Sequence, residues 1–139
     1  MQPPEATIKT NIDAALAEDL DQAGDLTARL IPEQATAHAR VITREDAVLA
    51  GQAWFNAVFK RLDPTVRLFW HMDDSEPIVA GETLVEVTGN ARALLTAERT
   101  ALNFLQTLSG VATETRHYVA AVAGTRARIY DTRKSIPGL

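Results

Sequence analysis

From Ala91 to Leu108 two sets of side chains repeat at helical spacing, and this restricts the fold more than any other feature. Leu94, Leu95, Ala101, Leu102, Leu105 and Leu108 form an apolar set. Arg92, Thr96, Arg99, Asn103 and Gln106 fall at i, i+4, i+7, i+11 and i+14 and form a continuous polar stripe. Such a segment is a helix with one side in a core and the other available for work. Ser109-Gly110 predicts an interruption. A second helix is expected over Val111–Ala123, with Thr115, Tyr118, Val119 and Val122 on one face and Gly124 suited to its C-terminal cap. Ala127–Tyr130 reads as a short strand running into Asp131-Thr132-Arg133-Lys134-Ser135.

The preceding residues alternate helix and strand signals. Ile8, Ile12, Leu16 and Leu20 recur every four residues, the face of an amphipathic helix that should stop near Gly24. Pro32 breaks any helical turn begun after Asp25-Leu26-Thr27. Ala37–Thr43 alternates as a strand, and a second extended piece ends at Val48-Leu49-Ala50-Gly51. Gln52–Leu62 carries Trp54, Phe55, Val58, Phe59 and Leu62, a helix with a wide buried stripe that ends at Asp63-Pro64. Val66–Met72 alternates as a strand. Ile78-Val79, the turn Ala80-Gly81-Glu82 and Thr83–Val87 read as a hairpin. The fold class is therefore α+β. The terminal helix, strand and charged residues make half of an α/β unit. Either the chain is the front part of a longer protein, or the last strand joins the earlier sheet in one complete domain.

Composition removes whole classes. The 139 residues suffice for one domain. Apolar residues are 46% and charged residues 23%, which fits a packed core rather than disorder. No apolar run approaches the roughly 20 residues that span a bilayer, and the opening Met1-Gln2-Pro3-Pro4-Glu5 does not resemble a secretory signal. There is no cysteine, which removes disulfides, thiolate metal sites and a cysteine nucleophile and fits a cytoplasmic protein. A net charge of −4 argues against a general nucleic-acid binder. The distribution is uneven: from residue 116 onward five cations face Asp131 alone, whereas the earlier residues hold nine basic and seventeen acidic groups. A basic end on an acidic body reads as a local anion site or as a solvated tail.

Two constellations suit anion binding. Arg99 lies at the centre of the polar stripe, and a guanidinium captures a carboxylate or phosphate bidentately. The competing reading is a solvated face with Glu98 or Glu86 as casual partners. Thr132, Arg133 and Lys134 lie where a strand ends, the position that carries working residues in α/β barrels. Other candidates are weaker. His38, His71 and His117 lack metal-ligand spacing and read as structural. Glu45-Asp46 and Asp73-Asp74 sit in turn contexts. Ser109 and Ser135 have no base or nucleophile-elbow context, and no GxxxxGK or GxGxxG phosphate loop is present. The Ile78–Val87 hairpin resembles part of a biotinyl or lipoyl carrier, but the three lysines, at 9, 60 and 134, all lie outside it.

Glu98-Arg99-Thr100-Ala101-Leu102-Asn103-Phe104-Leu105-Gln106, Leu108-Ser109-Gly110-Val111-Ala112-Thr113 and Asp131-Thr132-Arg133-Lys134-Ser135-Ile136-Pro137-Gly138-Leu139 together closely resemble the quinolinate phosphoribosyltransferases, or nicotinate-nucleotide pyrophosphorylases (carboxylating). Glu18-Asp19-Leu20, Gly24-Asp25-Leu26-Thr27, Pro32, Val48-Leu49-Ala50-Gly51 and Glu82-Thr83-Leu84 support the likeness, which covers essentially the whole chain. The resemblance implies an N-terminal open-faced α/β sandwich over residues 1–110. Residues 111–139 would be a linker helix and the first strand of a truncated α/β barrel, the rest of which is missing. It implies a pentosyltransferase that joins quinolinate to phosphoribosyl pyrophosphate with Mg²⁺, giving nicotinate mononucleotide, pyrophosphate and CO₂ for NAD biosynthesis.

By motif, Arg99 corresponds to an arginine that reaches the quinolinate carboxylates across a homodimer, and Thr132, Arg133 and Lys134 to the substrate-binding motif of the first barrel strand. The Mg²⁺ ligands and the catalytic residues are expected beyond Leu139, so the 139-residue chain is expected to be inactive alone. Ser135 stands where the family usually has Thr, Ser75 in a turn where Gly is common, and Ala47 at another common Gly. The competing readings are a paralogous pyrophosphorylase of the molybdate-transport type and a non-catalytic interaction or carrier domain.

Overall fold

A computed structural model describes residues 4–21 and 24–132. Its elements are α1 (Glu5–Leu20), β1 (Thr36–Ile42), β2 (Ala47–Val48), α2 (Gln52–Leu62), β3 (Arg67–Trp70), β4 (Pro77–Ile78), β5 (Thr83–Asn90) and α3 (Ala91–Ala121), with a single 3-10 turn at Ala28–Leu30. β1, β5 and β3 form an antiparallel sheet with β5 in the centre, and β2 pairs with β4 in a separate two-stranded ladder.

The sheet is one-sided because its sequence alternates. Val85 pairs with Val41 and Trp70, and Val87 with Ala39 and Leu68. Val85 and Val87 are buried against Phe55, Phe59, Leu94 and Ala97 of the helices. Glu86, between Arg40 and Phe69, lies on the other face, where Phe69 remains 65% exposed. Helices thus cover one side of the sheet and leave the other open, which is the expected open-faced α/β sandwich.

The helical expectations hold over α1 and α2. Ile12 and Leu16 are buried, and Ile8 and Leu20 pack at the edge of the core. α2 buries Trp54, Phe55, Val58 and Phe59, each worth about 1.5–3 kcal/mol of transfer free energy. The two indoles keep hydrogen-bond partners: Trp54 Nε1 donates to Asn11 Oδ1 at 3.2 Å, and Trp70 Nε1 to Asn56 Oδ1 at 2.8 Å. Gly51 is the N-cap of α2, and its φ of +110° suits glycine; a Cβ there would lie 3.0 Å from Leu108 Cδ1.

Three expectations are corrected. First, Ser109-Gly110 does not interrupt the helix: α3 runs unbroken for 31 residues. Tertiary bonds override the local signal. Ser109 Oγ accepts from Ala50 N at 3.0 Å and donates to Ala50 O at 3.1 Å, and Thr113 Oγ1 accepts from Val48 N at 2.9 Å. Second, Ile78–Val87 is not a hairpin. Both edges of β5 are taken by β1 and β3, and β4 pairs instead with β2, Ile78 opposite Ala47. Gly81, with φ of +92°, marks the turn between them. Third, Ala127–Tyr130 forms no strand among the described residues; Ile129 and Tyr130 are exposed, and a strand exists only through its ladder.

Candidate functional site

The polar side of α3 is secured at its start. Asn90 caps the helix, its Oδ1 accepting from Arg92 N at 3.0 Å and Ala93 N at 3.2 Å. One turn on, Arg92 Nε donates to Ile31 O at 2.7 Å and Thr96 Oγ1 to Asp25 Oδ2 at 2.9 Å. Asp25 Oδ1 also accepts from Ala28 N at 2.9 Å. The Ala28 amide, then the Thr96 hydroxyl and the Thr27 amide, hold the Asp25 carboxyl below its ordinary range despite partial burial. The first two members of the stripe therefore fasten the 24–31 segment to the helix.

Arg99 differs. It stands at a cleft of about 520 Å³ between α1 and α3, lined by Glu18, Asp19, Thr100, Asn103 and Phe104. Its Nη1 donates to Asp19 Oδ1 at 2.9 Å, while the Arg99 side chain stays 77% exposed and Asp19 only 18%. Asp19 Oδ2 lies 3.5 Å from the hydroxyl of buried Thr100. The competing solvated-face reading gives Arg99 a casual partner in Glu98 or Glu86; the structure supplies Asp19 instead. The signal was present in α1, where Asp19 follows buried Leu16 by three positions and so flanks the core-facing stripe. Gln106, at the far end of the stripe, lines a different groove between α3 and β1.

The second constellation is divided. Thr132 is exposed, and no described contact brings it to Arg99. Arg133 and Lys134 lie outside the described residues.

Two histidines that look isolated in sequence meet in space. His38 Nε2 lies 2.8 Å from Glu86 Oε2 and His71 Nε2 2.9 Å from Glu86 Oε1, on the open face of the sheet. The His71 bond, then the His38 bond, hold the Glu86 carboxyl below its ordinary range. The acidic turns are fasteners: Asp74 Oδ1 accepts from Gln52 N at 3.2 Å, and Asp46 Oδ1 from Ala80 N at 2.9 Å. Burial pushes the Asp74 carboxyl up. Among the described residues no group of three or more His, Asp or Glu side chains is placed to hold a metal ion, and no helix is long and apolar enough to cross a membrane.

Comparison with known proteins agrees with this architecture. Residues 25–109 match the family described as the quinolinate phosphoribosyl transferase N-terminal domain. The chain is 37% identical over 137 residues to the chloroplastic nicotinate-nucleotide pyrophosphorylase [carboxylating] of Arabidopsis thaliana, covering 98% of this chain and 39% of that one. It is 36% identical to the probable nicotinate-nucleotide pyrophosphorylase [carboxylating] of Synechocystis, covering 99% of this chain and 46% of that one. The solved nicotinate-nucleotide pyrophosphorylase of Francisella tularensis superposes with a TM-score of 0.93 at 39% identity, over 99% of this chain and 48% of that chain. That of Ehrlichia chaffeensis gives 0.88 at 36% identity, over 99% and 49%. The chain thus spans less than half the length of these relatives.

Proposed function

This chain belongs to the family of quinolinate phosphoribosyltransferase N-terminal domains, and we propose on that premise that it is the sandwich part of an enzyme that makes nicotinate mononucleotide. The reaction joins quinolinate to phosphoribosyl pyrophosphate. The pyridine nitrogen displaces pyrophosphate at the sugar carbon; the carboxylate beside the nitrogen then leaves as CO₂, its bonding pair stays on the ring carbon, and that carbon takes up a proton from water. The product feeds NAD biosynthesis. The close likeness to proteins named for this activity supports the assignment.

The observation that carries the role of this domain is the Arg99 guanidinium, tethered at Nη1 and exposed elsewhere. A dicarboxylate ligand needs a planar cation, and Arg remains protonated through any proton traffic. The cleft beside Arg99 is itself acidic, lined by Glu18 and Asp19, so it repels a dianion. Arg99 therefore serves a substrate held outside its own domain. This supports a homodimer in which Arg99 reaches the quinolinate carboxylates in the partner's barrel. Thr132, Arg133 and Lys134 bind substrate from their own side of that shared site. Exposed Val111, Tyr118 and Val119 on the distal part of α3 supply apolar surface for such packing.

The division into a sandwich over residues 1–110 and a connecting segment over 111–139 draws support from α3. Its core packing extends to Leu108, and the family match ends at residue 109. Mg²⁺ belongs with phosphoribosyl pyrophosphate on ligands outside the described residues, among which no group of three or more His, Asp or Glu side chains is placed to hold it. A cytoplasmic location is part of the same reading: the chain has no cysteine, and a polyanionic sugar donor does not cross membranes unaided.

The test is nicotinate mononucleotide formation from quinolinate, phosphoribosyl pyrophosphate and Mg²⁺ by the complete protein and by the 139-residue chain in parallel. Turnover by the complete protein alone is the expected result. A folded complete protein without turnover would remove the assignment. Turnover by the short chain would remove the need for a barrel.

A further inference from the structure

Arg99 is exposed, yet it is not loose. Its Nη1 is held at 2.9 Å by Asp19, which is itself four-fifths shielded from solvent. The two residues are far apart in sequence and come from different helices. Asp19 divides its oxygens between them: Oδ1 accepts from Arg99 and Oδ2 faces the buried Thr100 hydroxyl at 3.5 Å. Exposed ion pairs contribute little to folding stability because solvent screens them and two long side chains lose freedom. The geometry therefore matters more for where the guanidinium points than for holding α1 to α3.

We propose that Asp19 is the positioning residue for Arg99, fixing the guanidinium plane so that its Nε–Nη2 edge faces a pyridine dicarboxylate. The inference rests on the reading of quinolinate as the substrate. An arginine stem has four freely rotating bonds, and an untethered guanidinium must lose that freedom when ligand arrives. Asp19 removes much of it in advance by occupying Nη1. The Nε–Nη2 edge keeps two parallel N–H donors, the arrangement that captures one carboxylate bidentately. The Asp19 charge also disfavours a single stray anion at Arg99, so a substrate must bring enough charge and a second contact to bind.

The test uses the complete protein in a double-mutant cycle with Asp19→Asn, Arg99→Ala and the combination, measuring KM separately for quinolinate and for phosphoribosyl pyrophosphate. Asp19→Asn is expected to raise the quinolinate KM by about tenfold, the size of one charge-assisted contact, and to leave the other KM within about twofold. Asp19→Glu should restore part of the loss. The double variant should be no worse than Arg99→Ala, because Asp19 acts through Arg99. An unchanged quinolinate KM in folded Asp19→Asn, or additive losses in the double variant, would overturn the positioning role while leaving the Arg99 reading intact. An Arg99→Ala protein with unaltered quinolinate KM would instead overturn the substrate reading on which the inference rests. Should Asp19→Asn fail to fold, Asp19→Glu completes the same cycle, with an intermediate KM expected and an unchanged one counting against the role.

Discussion

Ser109 Oγ and the backbone of Ala50 are bonded in both directions, accepting from Ala50 N at 3.0 Å and donating to Ala50 O at 3.1 Å. One hydroxyl in the middle of α3 thus satisfies both polar groups of a peptide segment that no ladder reaches. Ser109→Ala leaves a part-buried donor and acceptor unpaired and should destabilise the protein by about 1–3 kcal/mol, read as a lower denaturation midpoint. Gly110→Ala, one residue on in the same helix, meets nothing within 4 Å. It should stabilise by about 0.5–1 kcal/mol, and a loss instead would show that α3 bends or breaks there.

Ser75 occupies the left-handed region with φ of 77°. Its amide donates to Leu49 O at 2.8 Å and its carbonyl accepts from Arg116 Nη2 at 2.8 Å, which hold the turn despite the strain. Ser75→Gly should raise stability by about 1 kcal/mol by relieving the Cβ clash, less what the freer unfolded chain takes back. A fall in thermal midpoint would mean that the serine side chain has a role in the turn.

Asp25 ties the 24–31 segment to Thr96, and its carboxyl is held below the ordinary value of 3.8. A depressed acid stabilises the fold above its unfolded pKa and loses that contribution as pH falls through its folded value. Asp25→Asn should therefore lower the thermal midpoint at pH 7, and the gap between variant and parent should close as pH falls below about 4. A gap independent of pH would assign the loss to shape rather than charge.

The proposed shared site predicts complementation. Arg99→Ala and Arg133→Ala subunits should each be nearly inactive as homodimers. Mixed dimers should recover one intact site of two, about half the parental turnover per dimer. Verified heterodimers without recovery would place both arginines in the same subunit's site.

Much of the sandwich was legible because its signals are local and redundant. α2 occupies the residues expected for it, since five large apolar side chains on one face and Gly51 and Asp63-Pro64 at the ends all agree. The errors arose where long-range contacts outvote local chemistry. Ser109-Gly110 reads as a break only until Ala50 and Val48 are known to bond the side chains of Ser109 and Thr113. Ile78 and Thr83 read as hairpin arms only until β5 is known to have both edges filled. Within the site, Arg99 was visible from its motif and its place on the stripe. Asp19 was not paired with it, because the contact depends on how α1 lies across α3. His38, His71 and Glu86 were likewise invisible as a group, since strand register alone brings them together.

The unbroken course of α3 has a geometric consequence. Arg99 and Ala121 lie on one axis, so about 1.5 Å of rise and 100° of rotation per residue lock the azimuth of one to the other. A single inserted residue after Leu108 would swing everything downstream by more than a quarter turn and carry Ser109 and Thr113 away from Ala50 and Val48. The helix sets a phase as well as a length.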